Sequence, residues 1–72
     1  MPYNASMFNI KLKELRKEKE LTQKQVAEHL RVDSSTVRKW ELGLREPNLS
    51  MLIKLADFFE VSTDFLLGRK DY

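Results

Sequence analysis

The residues best suited to chemistry lie in the segment 34–42, SSTVRKWEL, which starts with small hydroxyl side chains and carries two adjacent cations further on. Serine hydroxyls donate and accept hydrogen bonds, and their small size lets a helix approach another surface closely. Arginine and lysine can reach guanine O6 and N7 or a phosphate oxygen. The combination of Ser34, Ser35, Arg38 and Lys39 therefore indicates hydrogen bonding to a nucleic acid.

No other group of side chains in the sequence suggests catalysis or metal binding. His29 is the only histidine and has no cluster of ligand-type residues near it, so we expect it on a helix surface. Asp57, Glu60 and Asp64 look like solvated faces of helices, because no nucleophile–base pair or glycine-rich phosphate loop accompanies them. We therefore expect no enzyme activity, no metal, no cofactor and no small-molecule ligand.

The segment 34–42 has the signals of a helix with two distinct faces. Asp33 is a favourable N-cap and Gly43 a favourable left-handed stop. At about 100° per residue, Val37, Trp40 and Glu41 share one face, and the opposite face is polar. The polar face and its flanks comprise Ser35, Lys39, Arg38 and Thr36. Such a face is also typical of any solvated helix, so the segment alone leaves both interpretations open.

The composition describes one small globular domain. The chain has 72 residues, 42% hydrophobic and 33% charged, with no cysteine. The lack of thiols suits a reducing compartment, and no uncharged apolar run approaches the roughly 20 residues that span a bilayer. Residues 1–45 carry ten Lys/Arg and six Asp/Glu, whereas residues 46–72 carry three and five. This uneven charge is compatible with a polyanionic partner on one side.

Five helices are predicted between a loose segment, 1–6, and a tail, 69–72. We expect the first three at about 7–19, 23–30 and 34–42, the fourth after Asn48 with its apolar face reaching Phe59, and a short fifth that carries Phe65 and Leu66. The clearest start is Thr22-Gln23-Lys24-Gln25, a capping box. Asn48 and Ser62 are the expected N-caps of the fourth and fifth helices, and Gly68 ends the last one. Short helices with short loops predict a compact all-α bundle over residues 7–68.

The connection between the second and third helices is the most informative one. Only Arg31, Val32 and Asp33 separate Leu30 from Ser34. So short a linker forces the two helices to cross at a steep angle, which is the geometry of a helix-turn-helix.

The residues from Leu12 to Gly68, LKELRKEKELTQKQVAEHLRVDSSTVRKWELGLREPNLSMLIKLADFFEVSTDFLLG, resemble the Cro/CI phage-repressor type of helix-turn-helix, the XRE-like bacterial regulators. The likeness covers all five predicted helices and nearly the whole chain. It implies a lambda-repressor-like DNA-binding domain whose third helix enters the major groove.

The resemblance also implies roles for individual residues. The base-contacting positions are Ser34, Ser35 and Lys39, with Arg38 close enough to assist. Gln23 resembles a glutamine that binds DNA phosphate and braces the recognition helix, and Arg45 lies where the family contacts the next phosphates. We expect Thr36, beside the polar face, to be a further phosphate contact.

Other residues are expected to hold the domain together. By resemblance, Ala27 is the small residue that lets the second and third helices cross closely, and Val37 and Trp40 are buried anchors. Arg16 and Glu41 resemble a pair that forms a buried salt bridge in some members. The alternative is that these two are unrelated surface charges.

Three positions depart from the family pattern. Arg31 and Glu20 stand where glycine is common at the ends of the second and first helices. If they keep the left-handed conformation, each costs about 1–2 kcal/mol of strain; otherwise the turn itself differs. Leu44 stands where many members carry a cation, so this loop is expected to hold phosphate less tightly.

The sequence thus predicts a bacterial or phage-derived, cytoplasmic repressor that binds a palindromic double-stranded operator as a homodimer. The pairing surface is expected at the end formed by the fourth and fifth helices. The alternative is a protein-interaction module, such as an antitoxin, for which DNA binding is secondary. DNA binding by the isolated chain discriminates between the two.

Overall fold

The computed structural model describes residues 5–71 and contains five α-helices joined by short loops. The helices are α1 (Ala5–Glu18), α2 (Gln23–Leu30), α3 (Ser34–Leu42), α4 (Leu49–Phe59) and α5 (Thr63–Leu66). No strand occurs within 5–71, and the predicted all-α fold is confirmed. Residues 1–4 of the segment expected to be loose, and Tyr72 of the expected tail, lie outside the described residues. Helix α1 begins two residues before the predicted start.

Three of the predicted N-caps are formed by side chains. The Thr22 hydroxyl accepts a hydrogen bond from the Gln25 backbone N–H at 3.0 Å, and the Gln25 side chain accepts one from the Thr22 N–H at 2.8 Å. Asn48 and Ser62 accept from the backbone N–H three residues later, at 2.9 and 3.0 Å. Each cap satisfies a donor that the first turn of a helix leaves unpaired.

The fourth predicted cap, Asp33, differs from the expectation. Asp33 occupies the N-cap position of α3 with an extended backbone, but its side chain makes no capping hydrogen bond. The reason is local: the Thr36 N–H donates to the Asp33 carbonyl oxygen at 2.9 Å, so backbone already satisfies the donor that the carboxylate would take. The carboxylate is left exposed at the positive end of α3.

A left-handed residue follows each of the five helices within two positions, and three of these residues are not glycine. Arg31 and Glu20 keep the left-handed conformation, at φ of 61° and 56°, and Glu60 adopts it at the end of α4, at 57°. The turn between α2 and α3 therefore keeps the left-handed conformation that glycine usually adopts, although the residue there is Arg31. Gly43 ends α3 at φ 76°, and a Cβ there would also lie 2.5 Å from Nδ2 of Asn9. Glycine avoids the backbone strain at this position, and a larger residue would also displace the end of the Asn9 side chain.

One hydrophobic core unites the helices. Helix α3 packs against α2 and α1, while α5 packs against α1 and α4, and α4 also contacts α2. The core is assembled from apolar stripes on every helix. Its buried members are Phe8, Leu12, Leu15, Val26, Ala27, Leu30, Val37, Trp40, Leu55, Ala56, Phe59 and Leu66. This packing fixes the inner face of α3 and thereby sets which residues point outward.

Candidate nucleic-acid interface

Helix α3 separates its apolar and polar residues into opposite faces. Val37 is fully buried and Trp40 is 3% exposed, so the indole anchors the inner side of the helix in the core. Ser34, Ser35 and Arg38 are exposed, and Lys39 is half-buried. These are the four residues predicted to contact bases: Ser35, Arg38 and Lys39 lie on the outward side of α3 by helical angle, whereas Ser34 is exposed in the first turn, nearer the inner side. Thr36, at the edge of this surface, is half-buried.

The N-terminus of α2 adds a second polar surface, beside α3. The capping box of Thr22 and Gln25 uses the N–H groups of these two residues. The N–H groups of Gln23 and Lys24, the first two of the helix, have no acceptor within it. Together with the positive end of the helix dipole and the exposed Lys24, they form a place where an anion such as phosphate is stabilised.

A carboxylate inside the domain connects these two surfaces. Glu41, on the inner side of α3, receives hydrogen bonds from Arg16 Nε at 2.6 Å and Arg16 Nη2 at 3.0 Å. Only 12% of the Arg16 side chain and 4% of the Glu41 side chain are exposed. Arg16 Nη1 also donates to the Leu21 carbonyl oxygen at 2.8 Å. The pair therefore ties α1 and the later part of the α1–α2 loop to α3.

The same carboxylate orients Gln23. Gln23 Nε2 donates to Glu41 Oε1 at 3.1 Å. A carboxylate only accepts hydrogen bonds, so the nitrogen of the amide has to face it. One amide proton is then held inward, and the second remains available to an acceptor outside the protein. Gln23 thus braces α2 against α3, as the resemblance implies, but the sequence did not indicate that Glu41 would be its partner.

The guanidinium of Arg16 is held as a cation by this arrangement. The hydrogen bond to Glu41 raises the pKa of Arg16 above its usual range, against the opposing effect of partial burial. Charge-assisted, bidentate pairs of this kind are shorter and stronger than neutral hydrogen bonds. The buried charge of Arg16 is therefore balanced by that of Glu41, and the cations Arg38 and Lys39 lie on the outer side of α3.

The loop after α3 carries the remaining predicted contact. Arg45 is exposed, two residues beyond the left-handed Gly43. Leu44 beside it is 68% exposed, and as an uncharged residue it offers no cation to a phosphate. Leu42, the last residue of α3, is 55% exposed on the same side as the polar face. The sequence interpretation missed Leu42, although its helical angle, close to that of Ser35, could have indicated its position.

The other candidate residues stay apart from this surface. His29 is exposed, and its ring lies 4.1 Å from that of Phe58, on the α4 side of α2. Asp57 and Glu60 are exposed and Asp64 is half-buried. Within the described range, no group of three His, Cys, Asp or Glu residues is arranged to hold a metal ion. The helices in that range also include none long and apolar enough to cross a membrane.

Comparison with known proteins agrees with this geometry. Residues 12–66 match the family model described as Helix-turn-helix. The chain is 44% identical over 64 residues to the HTH-type transcriptional activator BcrR of Enterococcus faecalis, covering 89% of this chain and 31% of that protein. It is 38% identical over 61 residues to the HTH-type transcriptional regulator ImmR of Bacillus subtilis, covering 85% and 48%. The chain thus spans half or less of these curated relatives.

A solved structure shares the arrangement of the helices. The transcriptional regulator from Listeria innocua superposes with a TM-score of 0.83 at 35% identity, covering 94% of this chain and 61% of that one.

Proposed function

This chain belongs to the helix-turn-helix family, and from that premise we propose that it is a sequence-specific transcriptional regulator that binds double-stranded DNA. The observation that carries the proposal is the division of α3: Trp40 is fixed in the core while Ser35 and Arg38 are exposed opposite it. A B-DNA major groove is about 12 Å wide and admits one helix with its side chains. Helix α3 is the element that enters it.

Base readout is assigned to the outer face of α3. Arg38 and Lys39 donate to guanine O6 and N7, and Ser34 and Ser35 bond to either kind of base edge. The residues near the N-terminus of a recognition helix reach the bases first, and both serines lie there. Because serine and lysine contacts do not single out one base, these residues define a surface and leave the operator sequence open.

Phosphate contacts fix the register of α3 on the duplex. We assign them to Gln23, Thr36 and Arg45, which lie at the start of α2, at the edge of α3 and in the following loop. The support for Gln23 is its position at the start of α2, where the backbone N–H groups of Gln23 and Lys24 favour an anion, and its amide, which keeps a second proton beyond the one given to Glu41. Such contacts position the protein without reading sequence.

The regulatory mode that we propose is repression by occupancy of an operator. Occlusion of a promoter requires DNA binding and nothing further, whereas activation requires an additional contact with polymerase. The relative BcrR is named an activator, so the two modes occur among similar proteins. We further propose a homodimer on a palindromic operator in a bacterial cytoplasm, with the two copies of α3 about 34 Å apart.

Selection of bound sequences from a random duplex pool tests the function. The wild-type chain is expected to enrich one consensus with two related half-sites. Lys39→Ala should then weaken binding to that consensus by about 1–3 kcal/mol and relax specificity at one position. Lys13→Ala is the matched control, because Lys13 is an exposed lysine on α1. It should select the same consensus with the same affinity.

Two results would contradict the proposal. One is a wild-type chain that enriches no sequence from the pool. The other is a Lys39→Ala variant that binds the consensus as well as the Lys13→Ala variant does. Either result favours the protein-interaction module, for which a face of serines and lysine is ordinary solvated surface.

A further inference from the structure

Helix α3 carries three apolar side chains, and the core covers only two of them. Val37 is fully buried and Trp40 is 3% exposed, whereas Leu42 is 55% exposed. At about 100° per residue from Val37, Leu42 lies at about 140° around the helix axis. Arg38 and Lys39, at about 100° and about 200°, flank it on either side. Leu42 therefore belongs to the outward face of the helix, between the two cations.

The surroundings of Leu42 distinguish it from an ordinary exposed leucine, which needs no explanation on a protein surface. The other residues of the outward face, Ser35, Arg38 and Lys39, carry hydroxyl or cationic groups that form hydrogen bonds. Leu42 can form none, and pressing it against a donor or acceptor would leave that group unpaired at a free-energy cost. Among the groups that distinguish base pairs in the major groove, the C5-methyl of thymine is the apolar one.

We propose that Leu42 contacts the C5-methyl group of a thymine and thereby makes the domain select thymine at one position of its operator. The inference rests on the proposed function, because it requires the outward face of α3 to lie in the major groove. The selectivity comes from burial of hydrocarbon against hydrocarbon, which removes both groups from water. Cytosine, the other pyrimidine, has no methyl at this position and gains nothing from the contact.

The place of this thymine in the operator follows from the length of α3. Leu42 comes seven residues after Ser35, which is about 10 Å along the axis at 1.5 Å per residue. Neighbouring base pairs are about 3.4 Å apart. With the helix along the groove, the thymine lies about three base pairs from the base that Ser35 contacts. By the same reasoning it lies about one base pair from the contact of Lys39.

Removal of single methyl groups from the DNA tests the contact. Deoxyuridine pairs as thymidine does but lacks the C5-methyl, so each thymine of the selected consensus can be replaced in turn, on either strand. Wild type is expected to bind about fourfold more weakly when one particular thymine is replaced, which is the effect of burying one hydrocarbon group. For Leu42→Ala, the same replacement should leave the affinity unchanged, because the side chain that contacts the methyl is gone.

Ile10→Ala is the matched control variant. It shortens an aliphatic side chain of similar exposure, 50% against 55%, on α1, to which no DNA contact is assigned. This variant should keep the affinity of wild type for the consensus and the same response to deoxyuridine. Alanine is the best helix former, so neither substitution should disturb its helix. Circular dichroism of each variant checks that the helices are retained.

The inference is overturned if no thymine of the consensus shows a methyl dependence that Leu42→Ala removes. It is also overturned if Leu42→Ala weakens binding but keeps the response of wild type to deoxyuridine, which would place Leu42 against the sugar–phosphate backbone. In both cases a consensus is still selected, so the proposed function stands. A wild-type chain that enriches no sequence gives a different result: the proposed function fails, and the inference fails with it.

Discussion

The carboxylate of Glu41 on α3 binds the guanidinium of Arg16 on α1 through two hydrogen bonds, from Nε at 2.6 Å and from Nη2 at 3.0 Å. The two residues are 25 positions apart in the sequence. The same carboxylate holds the amide of Gln23 at 3.1 Å. One buried acid thus fixes α3 to the helix behind it and to the start of α2, which carries the candidate phosphate contact.

Glu41→Ala should lower the melting temperature markedly, because it leaves the Arg16 cation largely buried with no counter-charge. We expect the free energy of unfolding to fall by an amount at the lower end of about 3–5 kcal/mol, because 12% of the Arg16 side chain still reaches water. Glu14→Ala, at an exposed position of α1, should change stability by less than about 0.5 kcal/mol. Thermal unfolding followed by circular dichroism measures both, and equal melting temperatures would end the argument for a stabilising pair.

Gln23 and Glu41 should be coupled in DNA binding. Gln23→Ala removes the candidate phosphate contact, and Glu41→Gln replaces a group that only accepts hydrogen bonds with an amide that can also donate, so the Gln23 amide is no longer held in one orientation. If Glu41 acts through Gln23, the double variant should lose less affinity than the sum of the two single losses, by about 0.5–1.5 kcal/mol. Affinities are measured well below the melting temperature of the least stable variant. Strict additivity would show that the orientation of the amide does not matter for binding.

Arg45→Ala should weaken binding to every DNA sequence alike. A phosphate contact releases condensed counterions, so its loss should reduce the slope of log affinity against log salt by about 1. Lys39→Ala, in contrast, should act mainly on the selected consensus. Titrations at several salt concentrations distinguish the two variants. If Arg45→Ala weakened binding to some DNA sequences more than to others, Arg45 would contact bases and not only the phosphate backbone.

Arg31→Gly should stabilise the domain. Arg31 sits at φ 61°, where a side chain costs about 1–2 kcal/mol, and glycine removes that cost. Part of the gain is offset because glycine makes the unfolded chain more flexible, which leaves a net of about 0.5–1 kcal/mol. Glu28→Gly, in the exposed interior of α2, should instead destabilise by about 1 kcal/mol. Urea denaturation compares them, and destabilisation by both changes would show that the left-handed turn carries no strain.

The N-caps should respond unequally to alanine. Asn48→Ala removes a side chain that accepts from the Met51 N–H, and should cost about 1 kcal/mol. Asp33→Ala removes a side chain that makes no capping hydrogen bond, so only its interaction with the helix dipole is lost, about 0.3–1 kcal/mol. Added salt should reduce the smaller loss, because that interaction is screened. A salt-independent loss at Asp33 equal to that at Asn48 would contradict the backbone arrangement at α3.

The sequence determined the helices and the outward face of α3, because both depend on local interactions. Each of the signals used involves residues that are close together in the sequence, so it can be recognised without knowing the fold. These signals are the apolar residues at helical spacing, the Thr22–Gln25 capping box and the three-residue turn. The same rule failed at Asp33, where backbone and side chain compete for one donor. An aspartate before a helix favours a side-chain cap, but the geometry of the first turn decides whether the Thr36 N–H bonds to the Asp33 side chain or to its carbonyl oxygen.

Tertiary structure decided the contacts between distant residues, of which the resemblance had indicated Arg16 with Glu41 but left unrelated surface charges as the alternative. Glu41 lies on the inner face of α3 by sequence, but its position between Arg16 and Gln23 depends on how three elements pack together. The exposure of Leu49 and Ile53 is likewise decided by packing, because an apolar residue in a mostly apolar helix is covered only if another element reaches it. Periodicity identifies which residues share a face, and the arrangement of neighbouring helices determines which faces are covered.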